Sequence, residues 1–152
     1  MGIVDYFACA DPSRWHSKIA QGDWRAAKFL ADILHQDRFH TEMGEGTLYL
    51  LIEGDELLSF VTLTRRDCID DEKLYPWLGF FYTFPSHRGH RYGGQLLDLV
   101  TREAGKRGYP RVYLATDHQN LYEKYGFTYL ENRMDIYGAD SRIYVRNTEE
   151  KL

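Results

Sequence analysis

A nearly apolar run that leads straight into a basic turn and then a helix sets the architecture of this chain. The run "WLGFFYTF" covers residues 77–84, and "PSHRGHRYGG" follows it without a break. A run of this length and aromatic content is typical of a central strand that is buried on both faces. From Gly94 onwards apolar residues recur at helical spacing, and Gly108 ends that segment as a C-terminal cap. The segment therefore predicts a strand, a tight turn and a helix in direct succession.

Helical and strand patterns on either side of this unit complete the predicted fold. Two helices come first, one starting at Pro12 and one capped by Asp23, and a loop over residues 39–46 follows. Two strands joined by a tight turn at Gly54 then lead to the central strand. A strand, a short helix ended by Gly126 and a final strand pair follow the long helix. The predicted strands around the unit cover residues 47–52, 57–64, 111–116, 127–138 and 141–147.

The chain of 152 residues is long enough to build one hydrophobic core. It contains no internal repeat, no low-complexity segment and no linker. The sequence therefore predicts an α/β fold in a single domain over residues 1–152. Its mixed central sheet has about six to seven strands flanked by helices.

Charge and cysteine content narrow the classes of partner and compartment. The formal net charge of −4 argues against a general nucleic-acid binder, so a local basic turn points to a small anionic ligand. Cys9 and Cys68 fit no metal or redox spacing and indicate reduced thiols in a cytoplasmic protein. We find no apolar run long enough for a membrane span and no secretory signal pattern.

The turn between the predicted strand and helix has the chemistry of a phosphate site. Four residues that are or can be cationic, His87, Arg88, His90 and Arg91, precede two glycines. Helix-start N–H groups are unsatisfied, and a glycine turn lets them gather around an anion, so the turn predicts a site for a diphosphate. The alternative is that the glycines only make a tight turn and the arginines are solvated. The two histidines lack a third ligand nearby, so no metal is predicted.

The turn matches neither a Walker loop nor a dinucleotide-binding fingerprint. Instead, "TFPSHRGHRYGGQLL" resembles the acetyl-CoA signature of the GNAT superfamily of N-acetyltransferases. In that signature a strand and often a proline precede Arg/Gln-x-x-Gly-x-Gly/Ala at the start of a helix. Arg88 and Gly93 match it, whereas Arg91 stands where the pattern prefers glycine. "NLYEKYGF" resembles a second family motif through Tyr122 and the Gly-Phe pair after it, and the resemblance covers essentially the full chain.

The resemblance implies which residues bind acetyl-CoA. Backbone groups at the end of the central strand, in Phe81, Tyr82 and Thr83, would bind the pantetheine arm and polarise the acetyl carbonyl. Asn120 would help to position the cofactor. The pyrophosphate would lie on the backbone N–H groups of Arg88, Gly89, His90, Arg91, Tyr92, Gly93 and Gly94.

The resemblance also implies an acid but leaves the base open. Tyr122 stands where the family often places the general acid that protonates the departing CoA thiolate. Many family members carry a Glu on the central strand, and this strand has none. His118 is a candidate base after the fifth strand, but "TDHQ" is also a plausible helix cap with Asp117 capping and His118 exposed. A water chain is another option. Asp67 and Cys68 either line the acceptor site or belong to a solvated loop.

The resulting prediction is an acetyl-CoA-dependent N-acetyltransferase acting on an amine of a small molecule or peptide by direct attack in a ternary complex. A CoA-binding sensor or partner-binding module without turnover is the alternative, and an unrelated phosphate-binding enzyme is a third. The acceptor is expected near Phe39, His40, Tyr137 and Arg142. The sequence leaves a homodimer open.

Overall fold

A computed structural model describes residues 1–149, which form one seven-stranded sheet with helices on both faces. The helices are α1 (Pro12–Ala20), α2 (Arg25–His35), α3 (Phe39–Met43) and α4 (Tyr92–Lys106). Two short 3-10 turns, Pro85–His87 and Tyr122–Tyr125, precede α4 and the last two strands. The strands are β1 (Gly2–Asp5), β2 (Gly46–Glu53), β3 (Glu56–Thr64), β4 (Trp77–Thr83), β5 (Arg111–Thr116), β6 (Thr128–Met134) and β7 (Asp140–Asn147).

The strand order is β1-β2-β3-β4-β5-β7-β6. All neighbours are antiparallel except β4 and β5, which α4 connects as a crossover and which run parallel. These two central strands pair at a single position, Trp77 opposite Tyr113, and the Tyr113 N–H donates to the Pro76 carbonyl at 3.0 Å. The sheet is therefore mixed, as predicted, and its middle strands separate beyond their first pair.

Side-chain alternation along the strands divides the core between two helical layers. On β2, Leu48 and Leu50 face the layer of α1, α2 and α3, whereas Tyr49 and Leu51 belong to the cluster around α4. The α4 side chains Leu96, Leu97, Val100 and Ala104 are fully buried and contact residues of β3, β4 and β5. The apolar face of α4 thus lies across the line where β4 and β5 separate.

Most predicted elements are present, and three predictions are wrong. The sequence analysis starts the chain with helices, but Gly2–Asp5 forms an edge strand on β2. Residues 39–46, predicted as a loop, contain α3, whose Phe39 and Met43 are buried. Asp23 does not cap α2: the helix begins after Trp24 without a side-chain cap, and the Asp23 N–H donates to the Tyr82 hydroxyl at 3.1 Å.

The described part of the chain has neither a membrane-spanning helix nor a cluster of metal-binding side chains. None of its helices combines the length and apolar character needed to cross a lipid bilayer. Residues 1–149 also bring together no group of three or more His, Cys, Asp or Glu side chains that could hold a metal ion.

Candidate active site

A bulge interrupts β4 at the position that faces the divergence from β5. Phe60 of β3 pairs with Tyr82 and Thr62 pairs with Gly79, so two residues of β4 oppose Val61 alone. The extra residue adopts a left-handed backbone at Phe80, with φ of 50°. Such a conformation is costly for an aromatic residue and concentrates at functional sites. The bulge breaks the alternation of β4, and four consecutive residues, 78–81, line one cleft.

The cleft has a volume of about 830 Å³ and opens where β4 and β5 separate. Its walls are mainly apolar and aromatic, as is usual for small-molecule sites. Trp24 and Phe29 contribute from the helical layer, and the Phe29 ring stacks on Phe80 at 6.2 Å. The opposite wall is formed by residues 114–118, at the end of β5 and just after it, and by Tyr122. Tyr137 of the β6–β7 connection also lines the cleft.

The start of α4 packs against Phe81, one of the residues that line this cleft. Arg91, the residue before the helix, has a left-handed backbone with φ of 62° and ψ of 21°. The first N–H groups of any helix lack an intrahelical acceptor. No side-chain oxygen among the described residues caps this helix end, so its first N–H groups stay available to a ligand. A Cβ on Gly93 would lie 2.7 Å from Cζ of Phe81, a cleft residue. The missing Cβ therefore lets the helix start pack directly on the strand end.

The predicted loop residues Arg88, Gly89, His90 and Arg91 are exposed, while Tyr92 and Gly94 are half-buried and Gly93 is buried. The Arg88 Nε donates to the Thr83 carbonyl at 2.9 Å, which ties the loop to β4. His90 stacks on Tyr92 at 5.3 Å. His87 pairs with Glu56 at 2.9 Å. The loop thus presents backbone and arginine charge to solvent beside the helix start.

The strand-end residues divide between the two faces. Phe81 lines the cleft. Tyr82 is buried on the opposite face, where it stacks on Trp24 at 5.6 Å, and its carbonyl accepts from the Ser59 hydroxyl at 2.7 Å. The Thr83 hydroxyl lies 3.1 Å from that of Ser59, so both residues are fixed by β3.

Tyr122 lines the cleft from the 3-10 turn after β5 and is only 8% exposed. Its ring lies 6.2 Å from Phe81 and 6.1 Å from Phe127. Burial, with smaller contributions from Tyr125 and Asp117, raises the pKa of Tyr122 to about 12. The hydroxyl is therefore protonated at every physiological pH.

The segment between β5 and Tyr122 does not begin a helix, so the predicted capping role of Asp117 is wrong. The His118 N–H instead donates to the Thr116 hydroxyl at 3.1 Å. His118 and Asp117 line the cleft with side chains that are 65% and 90% exposed, and they lie 4.0 Å apart. Asn120 is exposed, with a left-handed φ of 62° before the turn.

The β3–β4 connection contributes two residues that the sequence analysis did not commit to. Asp67 and Cys68 line the cleft and are not a solvated loop. Burial raises the pKa of the Asp67 carboxyl, while hydrogen bonds from Cys68 act in the opposite direction. Burial and the neighbouring Asp67 raise the pKa of the Cys68 thiol to about 12. The available signal was Gly79, because a lone glycine inside a strand indicates close approach of another group.

The expected acceptor residues do not come together. Tyr137 lines the cleft and is 77% exposed. Phe39 is buried in the helical layer, and His40 lies 3.0 Å from the Gly46 carbonyl. Arg142 donates to the Tyr144 hydroxyl at 3.1 Å and does not line the cleft. These three residues belong to packing contacts outside the cleft.

Comparisons with known proteins agree with this geometry. In overall fold the chain is similar to the aminoglycoside 6'-N-acetyltransferase from Enterococcus faecium, with a TM-score of 0.69 and 17% identity over 100% of this chain and 99% of that one. A structure of aminoglycoside 6'-N-acetyltransferase complexed with coenzyme A gives 0.68, with the same identity and coverage. A GNAT family acetyltransferase from Elizabethkingia anophelis with acetyl-CoA bound gives 0.65 at 17% identity, over 96% and 97% of the two chains.

No curated protein matches the sequence. The sequence model of the Acetyltransferase (GNAT) family, however, matches residues 11–127, which is most of the chain. The matched region contains the bulged strand, the open helix start and Tyr122. The chain therefore belongs to the GNAT family of acetyltransferases.

Proposed function

We propose that the protein transfers an acetyl group from acetyl-CoA to a primary amine by direct attack within the cleft. The observation that carries this proposal is the position of Phe81. Its ring touches Gly93 at the open start of α4 and lies 6.2 Å from Tyr122. One cleft residue thus joins an anion-binding helix end to a buried hydroxyl, the two features that a CoA thioester needs.

The chain's residues fit acetyl-CoA at each end of the molecule. Helix-start N–H groups and the exposed Arg88 and Arg91 suit a diphosphate and a further phosphate. Gly89 has a φ of 86° and no heavy atom within 4 Å of where a Cβ would stand, so backbone there is open to a ligand. Related structures hold CoA or acetyl-CoA. The apolar strand edge beside Phe81 suits the pantetheine arm.

Tyr122 donates its hydroxyl hydrogen to the departing sulfur in this proposal. A CoA thiol resembles Cys, with a pKa near ~8.5. A phenol with a pKa of about 12 is a weak acid toward such a thiolate, so the proton moves to sulfur only as the amine adduct replaces it. The hydroxyl is never ionised at neutral pH, so the donor is always available.

The state of Cys68 favours direct transfer over a covalent acyl-enzyme. Only a thiolate is an effective nucleophile, and a thiol with a pKa of about 12 remains protonated at neutral pH. Cys68 is the cleft's cysteine, so the amine itself attacks the thioester. The amine nitrogen forms a bond to the acetyl carbon as the carbon–sulfur bond breaks.

The cleft walls favour an amine with an apolar or aromatic body. Trp24, Phe29, Phe80 and Tyr137 surround the space in which the acceptor would sit. Aromatic walls bind flat apolar groups and attract cations. The aminoglycoside specificity named for two of the structural neighbours therefore need not apply to this chain.

A panel of primary amines tests the proposal. Acetyl-CoA is incubated with arylalkylamines, polyamines, an aminoglycoside and lysine-containing peptides, and free thiol and acetylated amine are both measured. We expect amine-dependent thiol release, highest with arylalkylamines. Acetyl-CoA binding by calorimetry without thiol release from any amine would instead favour a CoA sensor or partner-binding module, since such a protein binds the ligand without turnover.

A further inference from the structure

The β3–β4 connection delivers a carboxylate to β4 at the point where that strand carries no side chain. A Cβ built on Gly79 would stand 2.3 Å from Oδ1 of Asp67 and 3.0 Å from Oγ1 of Thr62. The Asp67 carboxylate therefore occupies the space in which a β4 side chain would begin. The Asp67 carboxylate can occupy this position only because residue 79 is glycine, since any other residue there would displace the carboxylate.

The hydroxyl beside this carboxylate has no partner of its own. Thr62 is fully buried, and its Oγ1 makes no hydrogen bond within residues 1–149. An unsatisfied buried hydroxyl is costly, so natural proteins rarely retain one without a use. Thr62 Oγ1 and Asp67 Oδ1 flank the same point, which lies against the cleft wall at Gly79. The pair forms a small polar spot in an otherwise apolar wall.

The carboxylate is held in place but is not neutralised. The neighbouring Ile136 N–H donates to the Cys68 carbonyl at 2.9 Å, and Arg133 pairs with Asp71 at 2.5 Å. These contacts fasten the connection to the β6–β7 end of the sheet. No Lys, Arg or His in the described part of the chain forms an ion pair with Asp67. Asp67 is half-buried, and a partly desolvated carboxylate without a cation is costly and points to a functional role.

We infer that Asp67 is the general base of the reaction, with the Thr62 hydroxyl beside it and Gly79 as the residue that admits it. This inference rests on the proposed function. Asp67 takes the place of the strand-borne Glu that this chain lacks, and it reaches the acceptor from a loop. Its substrate is a protonated primary amine, whose positive charge the Asp67 carboxylate attracts.

The proton balance of the step is closed. The acceptor enters as R–NH₃⁺ and gives one proton to the Asp67 carboxylate, which leaves a neutral amine. The amine forms the carbon–nitrogen bond, the carbon–sulfur bond breaks, and sulfur receives the Tyr122 proton. The nitrogen of the adduct returns a second proton to the Tyr122 oxygen. Asp67 then releases its proton to water, so the products are the amide, free CoA thiol and one proton.

The environment of Asp67 suits this role. Burial raises the pKa of the Asp67 carboxyl, which makes the carboxylate a better proton acceptor. The other ionisable groups that face the cleft are Arg25, Glu42, Cys68, Asp117, His118, Tyr122 and Tyr137. Among these His118 is the competing base, and its side chain is 65% exposed.

Two opposite effects of one substitution test the inference. With the best amine of the panel, Asp67→Asn should lower kcat/KM by about 10²-fold or more and remove the rise of activity with pH that follows Asp67 ionisation. It should leave the acetyl-CoA Kd unchanged. It should also raise Tm at neutral pH. The folded state holds the Asp67 proton to higher pH than the unfolded state does, so ionisation removes stability as pH rises through the raised pKa.

The controls separate this role from others. Asp70→Asn, on the exposed part of the same connection, should keep the activity, pH profile and Tm of the wild type. A His118→Ala variant that loses the acidic limb while Asp67→Asn keeps it would overturn the inference. So would an Asp67→Asn variant with a lower Tm and full activity, which is the result of a structural role. A wild type that acetylates no amine would refute the proposed function instead, whatever Tm shift Asp67→Asn gives.

Discussion

Arg91 holds a backbone conformation that suits glycine better than any other residue. Its φ of 62° lies in the left-handed region, which costs a non-glycine residue roughly 1–2 kcal/mol. The family signature prefers glycine at this position, and the structure gives the physical reason. The chain accepts this strain and places a guanidinium on the surface beside the helix start.

We expect Arg91→Gly to keep or improve acetyl-CoA binding if backbone N–H groups hold the diphosphate. Relief of the strain opposes the greater entropy of glycine in the unfolded chain, so stability should change by less than about 1 kcal/mol. Calorimetric Kd values and Tm check this. Arg88→Gly is the control, because it removes the tie to the Thr83 carbonyl and should weaken binding. A tenfold or larger loss of affinity in Arg91→Gly would show that the side chain carries the binding.

Tyr122→Phe separates chemistry from binding at a single oxygen atom. If the hydroxyl protonates the departing sulfur, kcat should fall by roughly 10²–10⁴-fold while the acetyl-CoA Kd stays the same. The loss should be smaller for a thioester with a more acidic thiol, since that leaving group needs less help. Saturating turnover with each thioester is the measurement. Tyr125→Phe, on the same turn and half-buried, is the control and should retain wild-type turnover.

The outcomes for Tyr122 are distinct. Unchanged turnover and stability in Tyr122→Phe would leave the residue a packing role, since the ring remains in place. Weaker acetyl-CoA binding with unchanged saturating turnover would instead assign the hydroxyl to cofactor binding.

At the scale of elements, the joint between β4 and α4 depends on the absence of a side chain at Gly93. A Cβ there would lie 2.7 Å from Phe81 and 3.2 Å from the Thr83 hydroxyl. Gly93→Ala should therefore push the helix start away from β4, lower stability by about 1–3 kcal/mol and weaken acetyl-CoA binding. Chemical denaturation and calorimetry measure the two effects.

Gly105→Ala provides the matched control in the same helix. The nearest atoms to its Cβ would all belong to Thr148, with the closest at 3.1 Å, far from the loop. We expect unchanged acetyl-CoA affinity there. Equal affinity in the wild type and Gly93→Ala would mean that the fit between β4 and α4 does not shape the cofactor site.

The same joint shows what the sequence could predict. A continuous apolar run, a basic glycine turn and a helical repeat are local signals, so β4, the turn and α4 were predictable. The edge strand Gly2–Asp5 was not, because four residues carry too little pattern and its pairing with β2 is distant in sequence. The position of Asp67 depends on contacts with Gly79, Thr62 and the far hairpin, and no local pattern encodes such contacts.

For the whole molecule, ligand binding should add to folding stability because acetyl-CoA binds the folded state and not the unfolded chain. A ligand at 100 times its Kd stabilises the folded state by about 2.7 kcal/mol. For a chain of this size that corresponds to a Tm increase of roughly 5–11 °C. Thermal unfolding with acetyl-CoA, CoA and adenine alone measures it. An equal shift with adenine alone would place the binding energy away from the β4–β5 cleft.

Because β4 and β5 are joined by a single residue pair, the sheet consists of two halves that meet at a hinge. One half contains β1 to β4, and the other contains β5, β7 and β6. The pair of Trp77 and Tyr113 is the hinge between them. Helix α4 packs across both halves of the sheet through Leu96, Leu97 and Val100. Rotation of one half against the other about this hinge would change the width of the cleft without breaking the strand pairs within either half. A thioester bound between β4 and β5 would contact both halves of the sheet and should therefore fix the angle between them.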